Sequence, residues 1–339
     1  MLQAKKTTEI TTALKIDKMA SKYQETERTR AEYLIKSGNP VFYGGKAGKY
    51  FMTKNRDFVL QENLKNLYAP ICNDAIEYFK LNSISWWGGR RPTGHVLSSQ
   101  IACINHLYQI RLDKSAVLTI LKNVSNDFVD IFQINTDKYF PAYIQFEAVS
   151  DKDFLNEGQP TRGNNCTSVD ALIYAKHKDG SKWIIPIEWK YTEFYNNQNK
   201  AIEGFKANPL NCKGEVRKKR YTDLINNSKQ LINTDHSCFY FEPFYQLMRQ
   251  TLWAEQMIKN KDLETIKADN YLHIHVIPSE NKDLLNRVYK CSGQDMETTW
   301  RKLLNDQTKY QIVTPSKLLN GIDSLKYKDL LNYLKTRYL

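Results

Sequence analysis

The run KWIIPIEWKY, residues 182–191, sets Glu188 and Lys190 inside a stretch rich in isoleucine and tryptophan. Burying a charge is costly unless the charge is paired or binds a metal. A fold that uses this run as an inner strand must therefore bring those side chains a partner. The preceding run, TSVDALIYAKHK (167–178), has one acid near its start, Asp170, and KDGS between the two runs is a turn signal. Together they read as a hairpin. Residues two apart on a strand share a face. Pro186, Glu188 and Lys190 then point one way, Ile187 and Trp189 the other, and Asp170 can converge with Glu188 at the strand ends.

The surrounding sequence supplies a frame. AYIQFEAVS (142–150) alternates, with Tyr143, Gln145 and Glu147 on one face and Ile144, Phe146 and Ala148 on the other, so it reads as a strand. LSSQIACINHLYQIRL (97–112) is a helix with a start signal at Ser98 or Ser99, and Gln100 falls on its apolar stripe. FEPFYQLMRQTLWAEQMIKN (241–260) is an amphipathic helix with Phe244, Leu247, Met248, Thr251, Leu252 and Ile258 on the apolar side. Gln246, Arg249, Gln250 and Trp253 lie opposite. NYLHIHVIPS is a fourth strand, KYQIV a further short one, and the rest of 281–339 reads as short helices. Residues 1–37 are polar and helical from about Met19, as an arm or as a helix packed on the body. The order helix, three strands, helix, strand makes the chain α/β, with no internal repeat. It divides into a mostly helical region (1–95), a core (96–280) with an insertion at 195–240, and a helical C-terminal region (281–339).

Composition adds two constraints. The 339 residues carry a net charge of +12, which favours an anionic partner but is equally compatible with a solvated surface. The densest basic run, KGEVRKKRYTDLI, falls in the insertion, where Lys213, Arg217, Lys218, Lys219 and Arg220 can grip phosphates. There is no apolar stretch near the roughly 20 residues that span a bilayer, and no apolar signal region at the start; no membrane association is expected. None of the six cysteines forms a C-x-x-C pair, which argues against a zinc ribbon and leaves reduced thiols and a cytoplasmic location as the default.

Two carboxylates at one strand edge suit a hard cation such as Mg²⁺, which keeps several waters and takes one or two carboxylates plus substrate phosphate. The Trp189 carbonyl can add a third ligand. Lys190 beside such an ion can orient or deprotonate a water, or neutralise charge on a phosphoryl group. A Glu-x-Lys triplet alone is weak, since about one or two arise by chance in a chain of this kind. The competing reading is a cross-strand salt bridge of Lys190 with Asp170 or Glu188 on a solvent-facing sheet edge.

SVD, 17 residues, then EWK, set on this frame, resembles the PD-(D/E)XK nuclease superfamily over about 96–280. GHVLSSQIACINHL, RGNNCTSVDALI and IEWKYTE more narrowly resemble a bacterial family of restriction endonucleases, over most of the chain. The resemblance implies a restriction-endonuclease-like core, a mixed sheet flanked by helices, with helical N- and C-terminal additions. It implies Mg²⁺-dependent hydrolysis of double-stranded DNA, with Mn²⁺ as a substitute, through Asp170, Glu188 and Lys190. Gln100 stands where many members have a metal-proximal glutamate, Val169 stands where the motif has proline, and Glu147 is a compensating acid. Gln246 or Gln250 takes the polar role of the second core helix. Double-strand cutting requires two active sites and so fits a homodimer.

Arg162, Asn165 and Thr167 either touch the scissile phosphate or brace the loop before Asp170. His273 and His275 share a strand face and read as ordinary strand histidines. Three alternatives stay open: a dead-site nucleic-acid binder of the same fold, a repair or mobile-element nuclease, and carboxylates working on a sugar.

Overall fold

The structure, a computed structural model, describes residues 21–52, 54–138, 140–163, 165–205, 207 and 212–339. Along the chain run α1 (Lys22–Lys36), a small hairpin of β1 (Lys49–Phe51) and β2 (Lys54–Arg56), α2 (Cys72–Leu81), α3 (Ser99–Leu107) and α4 (Lys114–Lys122). Then come β3 (Phe128–Phe132), β4 (Gln145–Ala148), β5 (Val169–His177), β6 (Lys182–Trp189), α5 (Lys213–Asn226) and α6 (Phe244–Lys259). The C-terminal part holds β7 (Asn270–Tyr271), β8 (His273–Val276), α7 (Lys282–Leu285), α8 (Met296–Lys302), β9 (Tyr310–Val313), α9 (Pro315–Leu318) and α10 (Lys328–Tyr338). The part of the expected N-terminal helix before Ser21 lies outside the described residues.

The expected hairpin is the centre of the sheet. β5 and β6 pair antiparallel through Ala171–Ile187 to Lys176–Lys182, and the turn between them uses Gly180 at φ +89°, a conformation glycine adopts without penalty. β6 pairs parallel with β8, and β8 parallel with β9. β3 and β4 both add antiparallel to β5, giving a mixed seven-stranded sheet. The FVDIF strand, unassigned from sequence, is β3, and the edge strand β9 comes from the C-terminal region.

Helices cover both faces. On one, Ala171, Ile173, Ile185, Ile187 and Trp189 join α3, α4 and α10 in a single apolar core. On the other, Leu172 and Ile184 meet α5, α6 and α8. This is the layered arrangement that strands apolar on both faces require. Ser98 caps α3 as expected, accepting from Ile101 N. α6 departs from the simple amphipathic picture, since Gln250 and Trp253 are buried as well. No helix among the described residues is long and apolar enough to cross a membrane. The expectation of reduced thiols fails at one pair. Cys238 and Cys291 form a disulfide with Cα atoms 5.8 Å apart, because folding brings two sequence-distant loops within bridging distance.

α3 is tied through one residue to the segment before α2 and to α10. Asn105, fully buried, accepts from Tyr68 N at 2.9 Å and donates to Asn66 O, Tyr333 OH and Tyr338 OH. Asn105→Ala leaves several buried groups unpaired and is expected to cost about 3 kcal/mol; an unchanged midpoint in urea unfolding would contradict that.

Candidate active site

The strand register lines up three acids. Phe146 pairs with Ala171 and Ala148 with Val169, which sets Glu147 opposite Asp170. One step beyond the Ala171–Ile187 pair, Asp170 faces Glu188, and Glu188 in turn pairs with His275 on β8. Glu147 has φ +48°, left-handed backbone that a non-glycine residue rarely adopts. Glu147, Asp170, Glu188, Lys190, Gln100 and Gln246 all line one cavity of about 590 Å³.

Each acid is held by neutral donors. Gln100 on α3 donates Nε2 to Glu147 Oε1 at 2.7 Å and accepts from Trp87 N at 2.8 Å. Ser168 Oγ donates to the other Glu147 oxygen at 3.0 Å. The main-chain amide of Trp189 donates to Asp170 Oδ2 at 2.7 Å, so the peptide at the end of β6 is fixed against that carboxylate. Glu188 is 2% exposed. From α6, Gln246 Nε2 reaches its Oε1 at 2.7 Å and Gln250 Nε2 donates to its Oε2. Lys190, 5% exposed, donates to Glu188 Oε1 at 2.5 Å and to Gln246 Oε1 at 2.6 Å. Gln246 and Gln250 thus both hydrogen-bond Glu188, and the solvent-edge salt bridge weighed from sequence is replaced by an enclosed one.

The electrostatics follow from enclosure. Desolvation, then the negative charges of Glu188 and Glu147, hold the Asp170 carboxyl well above the ordinary carboxylate range. Burial also raises Glu147, against the hydrogen bonds from Gln100 and Ser168. Burial pulls Lys190 down, but Glu188 and further acidic neighbours outweigh it and keep the ammonium charged. Among the described residues no three His, Cys, Asp or Glu side chains gather as a ready metal cage. Carboxylate oxygens beside a strand-end peptide are the kind of donor a hard cation would take.

The loop before Asp170 is braced internally. Arg162 donates to Asp137 Oδ1 at 2.6 Å, Tyr78 OH at 2.8 Å, Glu147 O and Phe146 O. Thr167 and Arg249 share the buried Glu157 carboxylate. Gly163, at φ +72°, leaves no room for a side chain, since a Cβ would meet Ser85 O at 2.7 Å. The basic run sits on α5, away from the acids. Lys213 and Arg217 pair with Glu203, Lys218 with Glu215, and Arg220 lies over Tyr221. None of these, nor Lys219, lines the cavity. His273 and His275 are core residues, with His275 Nδ1 2.8 Å from Tyr310 OH and His273 pushed down to about 3 by burial and then by Lys190. Sequence reasoning missed the cavity's outer wall, Arg28, Arg56, Trp87 and His95; Trp87 and His95 fall in the run WWGGRRPTGH, whose own arginines, Arg90 and Arg91, do not line it.

A mixed sheet between helical layers, with acids at the ends of its central strands, defines a restriction-endonuclease-like α/β fold. A family model described as "Restriction Endonuclease associating with ARP" matches residues 17–339, and the chain belongs to that family. No curated protein and no solved structure matches the chain.

A carboxyl whose pKa is raised on folding adds stability at pH values below its unfolded pKa, and that stability is lost as pH rises through the raised value. The metal-free protein is therefore expected to lose stability above about pH 4 through Asp170 and Glu147. Asp170→Asn is expected to melt higher than the parent chain at neutral pH in a chelator, and a lower melting temperature would contradict this account of the row.

Proposed function

We propose that the protein is a Mg²⁺-dependent endonuclease that hydrolyses phosphodiester bonds in double-stranded DNA, as a restriction enzyme. The observation that carries the reading is the cross-strand row Glu147–Asp170–Glu188 with Lys190 beside it, in a chain whose family is described as restriction endonuclease. Asp170, Glu188 and the Trp189 carbonyl would hold Mg²⁺, with Mn²⁺ as a substitute. When bound, the ion supplies Lewis-acid charge stabilisation and a more acidic water.

The chain's own groups do the rest. Gln246 and Gln250 fix Glu188 from α6, and Gln100 fixes Glu147. Lys190 is held as a cation by Glu188, so it serves better as an electrostatic stabiliser of phosphoryl charge than as a base. In-line attack of water leaves 5′-phosphate and 3′-hydroxyl ends, and double-strand cutting by a pair of such sites calls for a homodimer. Asp170→Ala and Lys190→Ala are each expected to reduce plasmid cleavage by at least about 100-fold. Undiminished cutting by Lys190→Ala, or no cutting by the parent chain with either metal, would overturn the proposal.

One observation favours a second reading, a binding protein with a silent site. Both Glu188 oxygens already accept hydrogen bonds. That reading expects salt-sensitive DNA binding that is equal with and without Mg²⁺, and no turnover.

A further inference from the structure

α1 and the β1–β2 hairpin lie outside the mixed sheet, yet both line the cavity that holds the acids. Gln24 and Arg28 come from α1, Phe51, Met52 and Arg56 from the hairpin segment, and His95 closes the wall between them. α1 does not hang free. Its buried Glu27 accepts from Tyr191 OH at 2.5 Å, one residue past Lys190, and from Arg30 at 2.8 Å. Its first turn is pinned where Ser21 Oγ and Tyr23 N both donate to Asp283, at 2.7 and 2.8 Å. The position of Arg28 is therefore set relative to the acidic strands.

Several polar atoms on this wall have no hydrogen-bond partner among the described residues. Among the described residues Arg56 has no ion pair, and its Nε is buried with no acceptor. Arg28 Nε has none either, and the ion pair of that guanidinium among the described residues is with Glu25, itself 54% exposed, a surface pair of small worth. His95 Nδ1 is also unpartnered, and burial, then the charges of Arg28 and Arg56, push its pKa down to about 4. Buried donors without acceptors are costly and ask for an explanation. Here two guanidiniums meet beside the neutral imidazole of His95 on one concave spot, and an anion would satisfy them. Guanidinium forks suit phosphate. Rings and a thioether complete the lining. Phe51 and Trp87 lie 5.0 and 5.6 Å from His95, and Trp87 and Met52 are 48% and 74% exposed. Aromatic faces beside cations suit stacked bases rather than a free inorganic anion.

We propose that Arg28 and Arg56 form a phosphate-binding subsite of the active cleft, taking a backbone phosphate of the nucleic-acid strand next to the one presented to Asp170 and Glu188, with Trp87 and Phe51 against the adjoining nucleotide. The subsite rests on the nuclease reading and names the part of the chain that positions its substrate. The basic helix α5 then contributes less to the cleft than its sequence suggests.

The test is equilibrium binding of a labelled duplex, by anisotropy across a salt series with Ca²⁺ as a non-cleaving ion, for the full chain, R56A, R56K and R28A/R56A, alongside Mg²⁺ cleavage. R28A/R56A is expected to bind about 10–100-fold more weakly at moderate salt and to flatten the slope of log Kd against log salt by about 1–2, with R56K keeping most of the slope. Parental affinity and slope in R28A/R56A, with parental cleavage, would overturn the subsite and leave the nuclease reading standing. Should R28A/R56A fold poorly, the R56A and R56K pair decides, since the hairpin side chain is partly exposed and equal slopes for the two refute it. A parent chain that binds but never cuts, with binding lost in R28A/R56A, keeps the subsite and sinks the nuclease. A parent chain that binds no DNA sinks both.

Discussion

Mutual repulsion within a row of carboxylates governs the architecture. Glu147, Asp170 and Glu188 stand side by side on β4, β5 and β6, with Lys190 as the ammonium among them. At an effective dielectric of about 20, two like charges about 5 Å apart repel by roughly 3 kcal/mol. The surroundings answer with dipoles. Gln100, Gln246, Gln250, Ser168 and the Trp189 amide each donate a hydrogen bond. Neutral donors orient the carboxylates without cancelling their charge. The row keeps a net negative charge that a proton or a bound cation relieves, and this adds to desolvation by burial, the larger cause, in raising the Asp170 and Glu147 carboxyls.

The layers exist to hold this row. α6 is buried on more than one side because its glutamines must reach Glu188 while its apolar residues fill the core. The loop between β4 and β5 is cross-braced by Arg162 and by the buried Glu157, which keeps Glu147 in its left-handed conformation next to Asp170. On the opposite sheet face Trp189 packs against His106 of α3, with ring centroids 4.7 Å apart. The peptide at the end of β6 is thereby gripped from both sides.

How much of this was legible depended on sequence distance. The hairpin was readable because its turn, its two apolar runs and Asp170, Glu188 and Lys190 fall within 25 residues, and strand alternation alone puts Glu188 and Lys190 on one face. Gln100 was readable as a polar residue on an apolar stripe. Helical periodicity set Gln250 on the polar side of α6, but it cannot tell solvent from a buried carboxylate, and the structure supplies the carboxylate. The β3 strand was too short to stand out, with Asp130 interrupting FVDIF. The outer wall was not readable, because Arg28, Arg56 and His95 meet the acids only across 52 to 160 residues of chain. The basic run drew notice by composition, whereas its charges are largely answered by Glu203 and Glu215.

The anchoring of α1 bears on the order in which the molecule is assembled. Its Arg30 reaches Arg337 O at 2.5 Å, and its first turn rests on Asp283. Both anchors leave the ribosome some 250 to 300 residues after α1 itself. During synthesis the central hairpin can form while the outer wall of the cleft still lacks its supports. A nascent chain therefore carries the acidic row before it carries a finished groove, whose last support arrives with the final turn of α10.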